Sequence, residues 1–179
     1  MNDERAVEEP PIRHLFNLGD LSQAGSEVRV SVSGDDLVRL AHWAGVDAVN
    51  AFAAVVDLRR LSKTQFAFDA ALDADIVQAC VVTLEPVATH IARRFSRELH
   101  FSPRSRATGG VLTLAAGDED VPEEIDNLNY DLAAPLLEEF LLAIDPYPRK
   151  EGAAFEPPPA VAEPPESPFA VLQSIKERG

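Results

Sequence analysis

The earliest clear pattern in the chain is an alternation of apolar and polar residues. Val28, Val30 and Val32 interleave with Arg29, Ser31 and Ser33, which predicts a half-buried β-strand. Ser33-Gly34-Asp35-Asp36 then places a hydroxyl three residues before a carboxylate, the arrangement of a helix-opening capping box. Leu37, Leu40, Ala41 and Ala44 share one helical face, and Gly45 suits the left-handed residue that ends a helix.

From Val46 to Arg60 the chain is rich in Val, Ala and Phe, and Leu61-Ser62-Lys63 breaks the run. Thr64 to Val77 resumes with Phe66, Phe68, Ala70 and Leu72 alternating with polar or small residues, so the two stretches predict a long antiparallel pair. Between Val87 and Phe101 the odd positions read Val, Thr, Ile, Arg, Phe, Arg, Leu, Phe, another long strand. It is expected to start through an irregularity at Pro86, because proline donates nothing to a ladder. Residues 102–127, with Pro103, Gly109-Gly110 and Asp118-Glu119-Asp120, read mostly as loop. Asp131 is placed to cap a helix carrying Leu132, Leu136, Leu137, Phe140, Leu141 and Ile144, and Asp145-Pro146 stops it. The expected fold class is α+β: an antiparallel sheet with long central hairpin strands, two main flanking helices, and a short C-terminal helix after a proline-rich linker.

Proline marks the boundaries. Eight of the 14 prolines lie between Pro146 and Pro168. The expected divisions are a flexible acidic N-terminus over 1–11, an α+β core over 12–150, a proline-rich linker over 151–166 and a C-terminal docking segment over 167–179. In that last segment Ser167 and Pro168 suit a helix start, and Phe169, Leu172 and Ile175 fall on one side. A helix this short needs a surface to bury it, either a partner's groove or its own domain.

Composition narrows the function classes. A chain of 179 residues with 46% hydrophobic content can build one real core. No run approaches the roughly 18 apolar residues of a membrane span, so no membrane partner is expected. The acidic start does not resemble a signal peptide, and a single cysteine, Cys80, fits a reducing compartment, so the expected location is cytoplasmic. The formal charge of −14 opposes indiscriminate phosphate binding.

Catalytic signals are sparse. Cys80 sits in the apolar run Ile76-Val-Gln-Ala-Cys-Val-Val with no basic neighbour to lower its pKa, and reads as a buried structural cysteine. His14, His42, His90 and His100 lack metal-ligand spacing, and no phosphate-binding loop, dinucleotide fingerprint or nucleophile elbow occurs. The expectation is a non-enzyme, with no catalytic residue, metal or cofactor assigned.

The basic residues are unevenly placed. Arg93, Arg94, Arg97, Arg104 and Arg106 crowd the stretch from His90 to Arg106, where Glu98 is the one acid. Alternation puts Arg93 and Arg97 on one face, and His90, Arg94 and His100 on the other. Arg59, Arg60 and Lys63 form a second knot at the neighbouring turn. Such residues either contact RNA phosphate or neutralise nearby acids on a solvated strand.

Three stretches together resemble the YceD family, the bacterial large ribosomal RNA subunit accumulation proteins. They are Ala79-Cys-Val-Val-Thr-Leu-Glu-Pro-Val87, Asp131-Leu followed by Glu138-Glu-Phe-Leu-Leu-Ala-Ile-Asp-Pro-Tyr-Pro-Arg149, and Ser167-Pro-Phe-Ala-Val-Leu-Gln-Ser-Ile-Lys176. The resemblance implies a role in synthesis, processing or stability of large-subunit ribosomal RNA. Many family members carry a Cys-x-x-Cys pair at the central hairpin; here those positions read as Val77 and Cys80, so a four-ligand zinc site is not carried over and packing is expected to hold the turn. The leading expectation is a ribosome-biogenesis factor touching the large-subunit rRNA precursor or its ribosomal proteins. Arg93, Arg94, Arg97, Arg104 and Arg106 are its candidate RNA-binding residues, and Phe169, Leu172 and Ile175 its candidate docking residues. The alternative is an acidic protein–protein adaptor that recruits a ribosomal protein or RNA-processing enzyme through its tail.

Overall fold

The valine alternation forms strand β2 (Ser26–Val32) in a computed structural model, which describes residues 10–103 and 122–154. Helix α1 (Asp35–Ala44) follows and ends on Gly45 at φ 69°, whose N–H reaches the carbonyls of Ala41 and His42. The helix does not begin as expected. Its capping position is Gly34, with no side-chain cap, so Ser33 does not form the capping box.

Three long strands carry the molecule: β3 (Ala48–Arg60), β4 (Gln65–Ala79) and β5 (Pro86–Phe101). They pair antiparallel in continuous register, from Arg60 opposite Phe66 and Gln65 opposite His100, with one irregularity between Val49 and Ala51. β2 lies outside β3, pairing Val28 with Val56 and Val32 with Phe52.

Two short strands were not expected, the first of them inside the stretch 102–127 read mostly as loop. Residues Glu123–Ile125 form a short strand, β6, which joins the sheet parallel to β5 at Leu99–Phe101. Asn129–Asp131 form β7, which pairs with β1 (Leu15–Asn17) in a separate two-stranded ribbon. The sheet order is therefore β2-β3-β4-β5-β6, antiparallel except at its last pair. Arg104 and Arg106 lie outside the described residues.

Helix α2 (Ala133–Ala143) covers one face of the sheet. The capping position is Leu132, one residue later than expected; Asp131 just before it still serves the helix start, one carboxylate oxygen accepting the Ala133 N–H at 3.0 Å and the His14 N–H at 2.8 Å. Leu136 and Phe140 are fully buried, and the Phe140 ring meets Phe52 edge-on at 5.4 Å. After the helix, Ala153 donates to the Lys150 carbonyl, so the first residues assigned to the linker form a turn. The docking residues Phe169, Leu172 and Ile175 lie outside the described residues.

Phe140 therefore joins helix to sheet. Phe140→Ala should destabilise the protein by about 3–5 kcal/mol in chemical denaturation; a loss under about 1 kcal/mol would mean that the helix is not held by this contact.

Candidate functional site

The candidate arginines sit on β5, and the pleat separates them. Arg97 belongs to the core-facing row, opposite Phe68 in the sheet register and only a quarter exposed. Its guanidinium donates to Glu138 on α2 at 2.7 Å, and Glu123 on β6 and Glu139 on α2 lie 3.5 and 3.8 Å away. The Tyr130 hydroxyl donates to the same Glu123 carboxylate at 3.1 Å. Burial opposes the Arg97 charge, but the hydrogen bond and charge of Glu138, with help from Glu123, outweigh it and raise its pKa. Arg97 is thus a hub joining β5, β6 and α2.

Arg93 and Arg94 differ. Both are exposed, and no side-chain hydrogen bond or ion pair holds either among the described residues. β6 meets β5 only at Leu99–Phe101, so among the described residues the outer edge of β5 from Pro86 to Glu98 has no strand beside it. Two adjacent charges there also blunt an edge open to pairing with another chain. In the second basic knot the two arginines are engaged, while Lys63 is exposed. Arg59 binds Asp69 at 2.6 Å, while Arg60 donates to the carbonyls of Leu18 and Gly19 and lies over the Phe66 ring.

The sheet face turned away from α2 carries a feature that spacing alone did not expose. Glu27, Asp57 and Asp69 stand abreast on β2, β3 and β4, followed across by Ser96 on β5. Two rows further, Ala53 opposes Asp73; beyond it Ala51 opposes Asp75, which faces His90. Ala51, Ala53, Ala67, Ala71 and Ala92 supply a low floor between these charges. Ser96 and Arg59 hold the Asp69 carboxyl below its usual pKa. Arg29 is paired with Glu27 at 3.0 Å, and His90 with Asp75 at 2.8 Å. The face is acidic. The acids of β4 were visible as polar partners of Phe66, Phe68 and Leu72, but only strand register brings them beside Asp57 and Glu27.

The tip of the β4–β5 hairpin corrects a further expectation. Val77 lies within β4 opposite Ala88, and the residue that meets the Cys80 sulfur is Thr83. Packing alone does not hold this turn. The buried Sγ accepts backbone N–H groups from Lys150 at 3.3 Å and from Val82 and Thr83 at 3.4 Å. The Lys150 N–H, then the Thr83 hydroxyl and N–H, lower the thiol pKa to about 6. Sulfur thereby pins the turn to the segment after α2. Its surroundings offer no second thiolate or imidazole, and no group of three metal-ligating side chains occurs among the described residues, so a four-ligand zinc site does not fit.

These features define an acidic α+β sheet protein in which most described arginines are bound to its own acids and carbonyls. Residues 68–176 match the family model described as large ribosomal RNA subunit accumulation protein YceD. The match covers more than half of the chain, and the chain belongs to the YceD family, which carries a role in large-subunit ribosomal RNA accumulation. Comparisons with curated proteins and with solved structures return no match. No helix among the described residues is long and apolar enough to cross a membrane.

Two measurements follow from this geometry. Arg97→Ala should destabilise the fold by about 1–3 kcal/mol, while Arg93→Ala should change it by less than about 0.5 kcal/mol; equal losses in denaturant titrations would remove Arg97 from its structural role. The Cys80 pKa falls from 9.0 to about 6 on folding, so the thiolate's stabilising share grows as pH rises from about 6 to 9 and is lost as pH falls through about 6. The melting-temperature advantage over Cys80→Ser should widen across that interval, and a flat difference would show that the folded sulfur carries no thiolate.

Proposed function

We propose that this protein supports large-subunit ribosomal RNA accumulation without catalysing a reaction, by holding a basic protein of the assembling particle against the open face of its sheet. The row Glu27, Asp57 and Asp69, with Asp73 and Asp75 beside it, carries this reading. Like charges directly opposite each other destabilise a sheet; Arg29 and Arg59 offset part of that repulsion, and a cationic partner relieves the rest. The charge of −14 draws a basic surface in and repels phosphate. Exposure fits too: the Asp73 and Asp75 side chains are 64% and 55% exposed.

One observation favours a second reading, direct RNA contact. Arg93 and Arg94 are exposed with no side-chain partner among the described residues, so each, on its own side of the β5 edge, is available to phosphate in a salt-sensitive way. Arg97 would take no part, being bound to Glu138.

The two readings separate in cells. Asp73→Lys with Asp75→Lys should abolish copurification with large-subunit precursor particles, while Arg93→Glu with Arg94→Glu should leave it intact. Ultraviolet crosslinking of the tagged protein should recover little RNA. Strong enrichment of large-subunit precursor, lost in the arginine variant, would replace the basic-partner reading with direct RNA contact.

A further inference from the structure

Five of the large apolar side chains exposed among the described residues, Val81, Leu84, Leu141, Leu142 and Tyr147, belong to two stretches held together at one end of the molecule. The Val81 N–H donates to the Pro148 carbonyl at 2.9 Å, and the Gln78 side chain to the Asp145 carbonyl at 3.0 Å. Lys150 closes the junction twice, through its N–H to the Cys80 sulfur at 3.3 Å and its ammonium to Glu85 at 3.0 Å. Leu141 and Leu142 occupy the last turn of the helix leading into this junction.

Leu84 is the most telling residue there. It is 79% exposed and has a φ of 60°, a left-handed backbone that glycine or asparagine adopts with less strain. An apolar side chain is thus held in water by a backbone that disfavours it. Departures of this kind from local rules mark contact surfaces.

We infer that this hairpin-tip surface is the docking site for the chain's own C-terminal segment, with Phe169, Leu172 and Ile175 covering Val81, Leu84, Leu142 and Tyr147. Position is the first argument. The described chain reaches Ala154 four residues beyond Lys150, which is anchored at the hairpin tip. Even a fully extended stretch 155–166 would reach no more than about 43 Å, so it keeps the segment at high effective concentration beside this surface. The second argument is complementarity. The segment's sequence carries apolar residues at helical spacing that a helix of its length cannot sustain alone, and the joined stretches leave Val81, Leu84, Leu142 and Tyr147 exposed. Thirdly, the family match over residues 68–176 takes in both the turn and the segment up to Lys176, so both halves of the contact lie in one family unit. No residue of the acidic sheet face takes part, and this inference stands apart from the basic-partner reading.

The test uses the full chain, isotopically labelled for nuclear magnetic resonance. Phe169→Asp with Leu172→Asp should shift the resonances of Val81, Leu84, Leu142 and Tyr147 and leave those of β2 and α1 in place. Leu84→Asn relieves the left-handed strain, so it should keep or raise the melting temperature while moving the Phe169–Ile175 resonances toward those of a free peptide. Both effects should be independent of protein concentration. Unmoved hairpin-tip resonances in the first variant would overturn the inference and leave the segment to a partner. Concentration-dependent shifts would overturn it in favour of a second copy covering the surface.

Discussion

In β4 every even-numbered residue from Phe66 to Ile76 is buried, and this one condition fixes most of what surrounds it. Side chains alternate strictly across a pleated sheet, so burying Phe66, Phe68, Ala70, Leu72, Ala74 and Ile76 sends Asp69, Asp73 and Asp75 to the other face. A slip of one residue against β3 or β5 would drive three carboxylates under α2, so the register has no tolerable neighbour. The acidic face is therefore not an independent surface feature. It is the reverse side of the core.

The same alternation splits the arginines of β5. Arg97 falls in the row beneath α2, where a cation survives only if carboxylates surround it, and Glu138, Glu123 and Glu139 do so. That ion cluster holds the short β6 and the helix against β5, where few apolar contacts are available to a strand of three residues. Arg93 lies in the same row but is exposed, and Arg94 points to the acidic face. One stretch of sequence thus supplies a structural hub and two edge charges. Its clustering along the chain does not become a patch in space.

Legibility in the sequence followed periodicity. β2, the three long strands, α1 and α2 each repeat their pattern several times, and all were readable from Val28, Phe66, Ile91 or Leu136 and their neighbours. β1, β6 and β7 have three residues each, too few for a period, and exist because partners distant in the chain meet them. The Ser33 capping signal failed because the chain turns at Gly34, where a positive φ sets the helix entrance instead. At Cys80 the residues were plain, but the N–H donors come from Lys150 as well as from the turn. That contact spans 70 positions, beyond the reach of any local motif. The acidic face needed three registers at once.

Charge use across the molecule links these points to function. Arg29, Arg39 and Arg59 serve Glu27, Asp36 and Asp69, Arg60 serves two carbonyls, and Lys150 serves Glu85. Such exposed pairs contribute little stability each, yet they lower the number of cations available to a polyanion. In a chain of charge −14, pairing these five cations internally leaves a sheet face on which acids outnumber arginines. Membership in a family tied to ribosomal RNA does not require that RNA be gripped directly, because an assembling particle is rich in basic proteins seeking counter-charge. On the reading proposed above, the sheet face would meet that need with carboxylates set on an alanine floor and held in place by the core behind it.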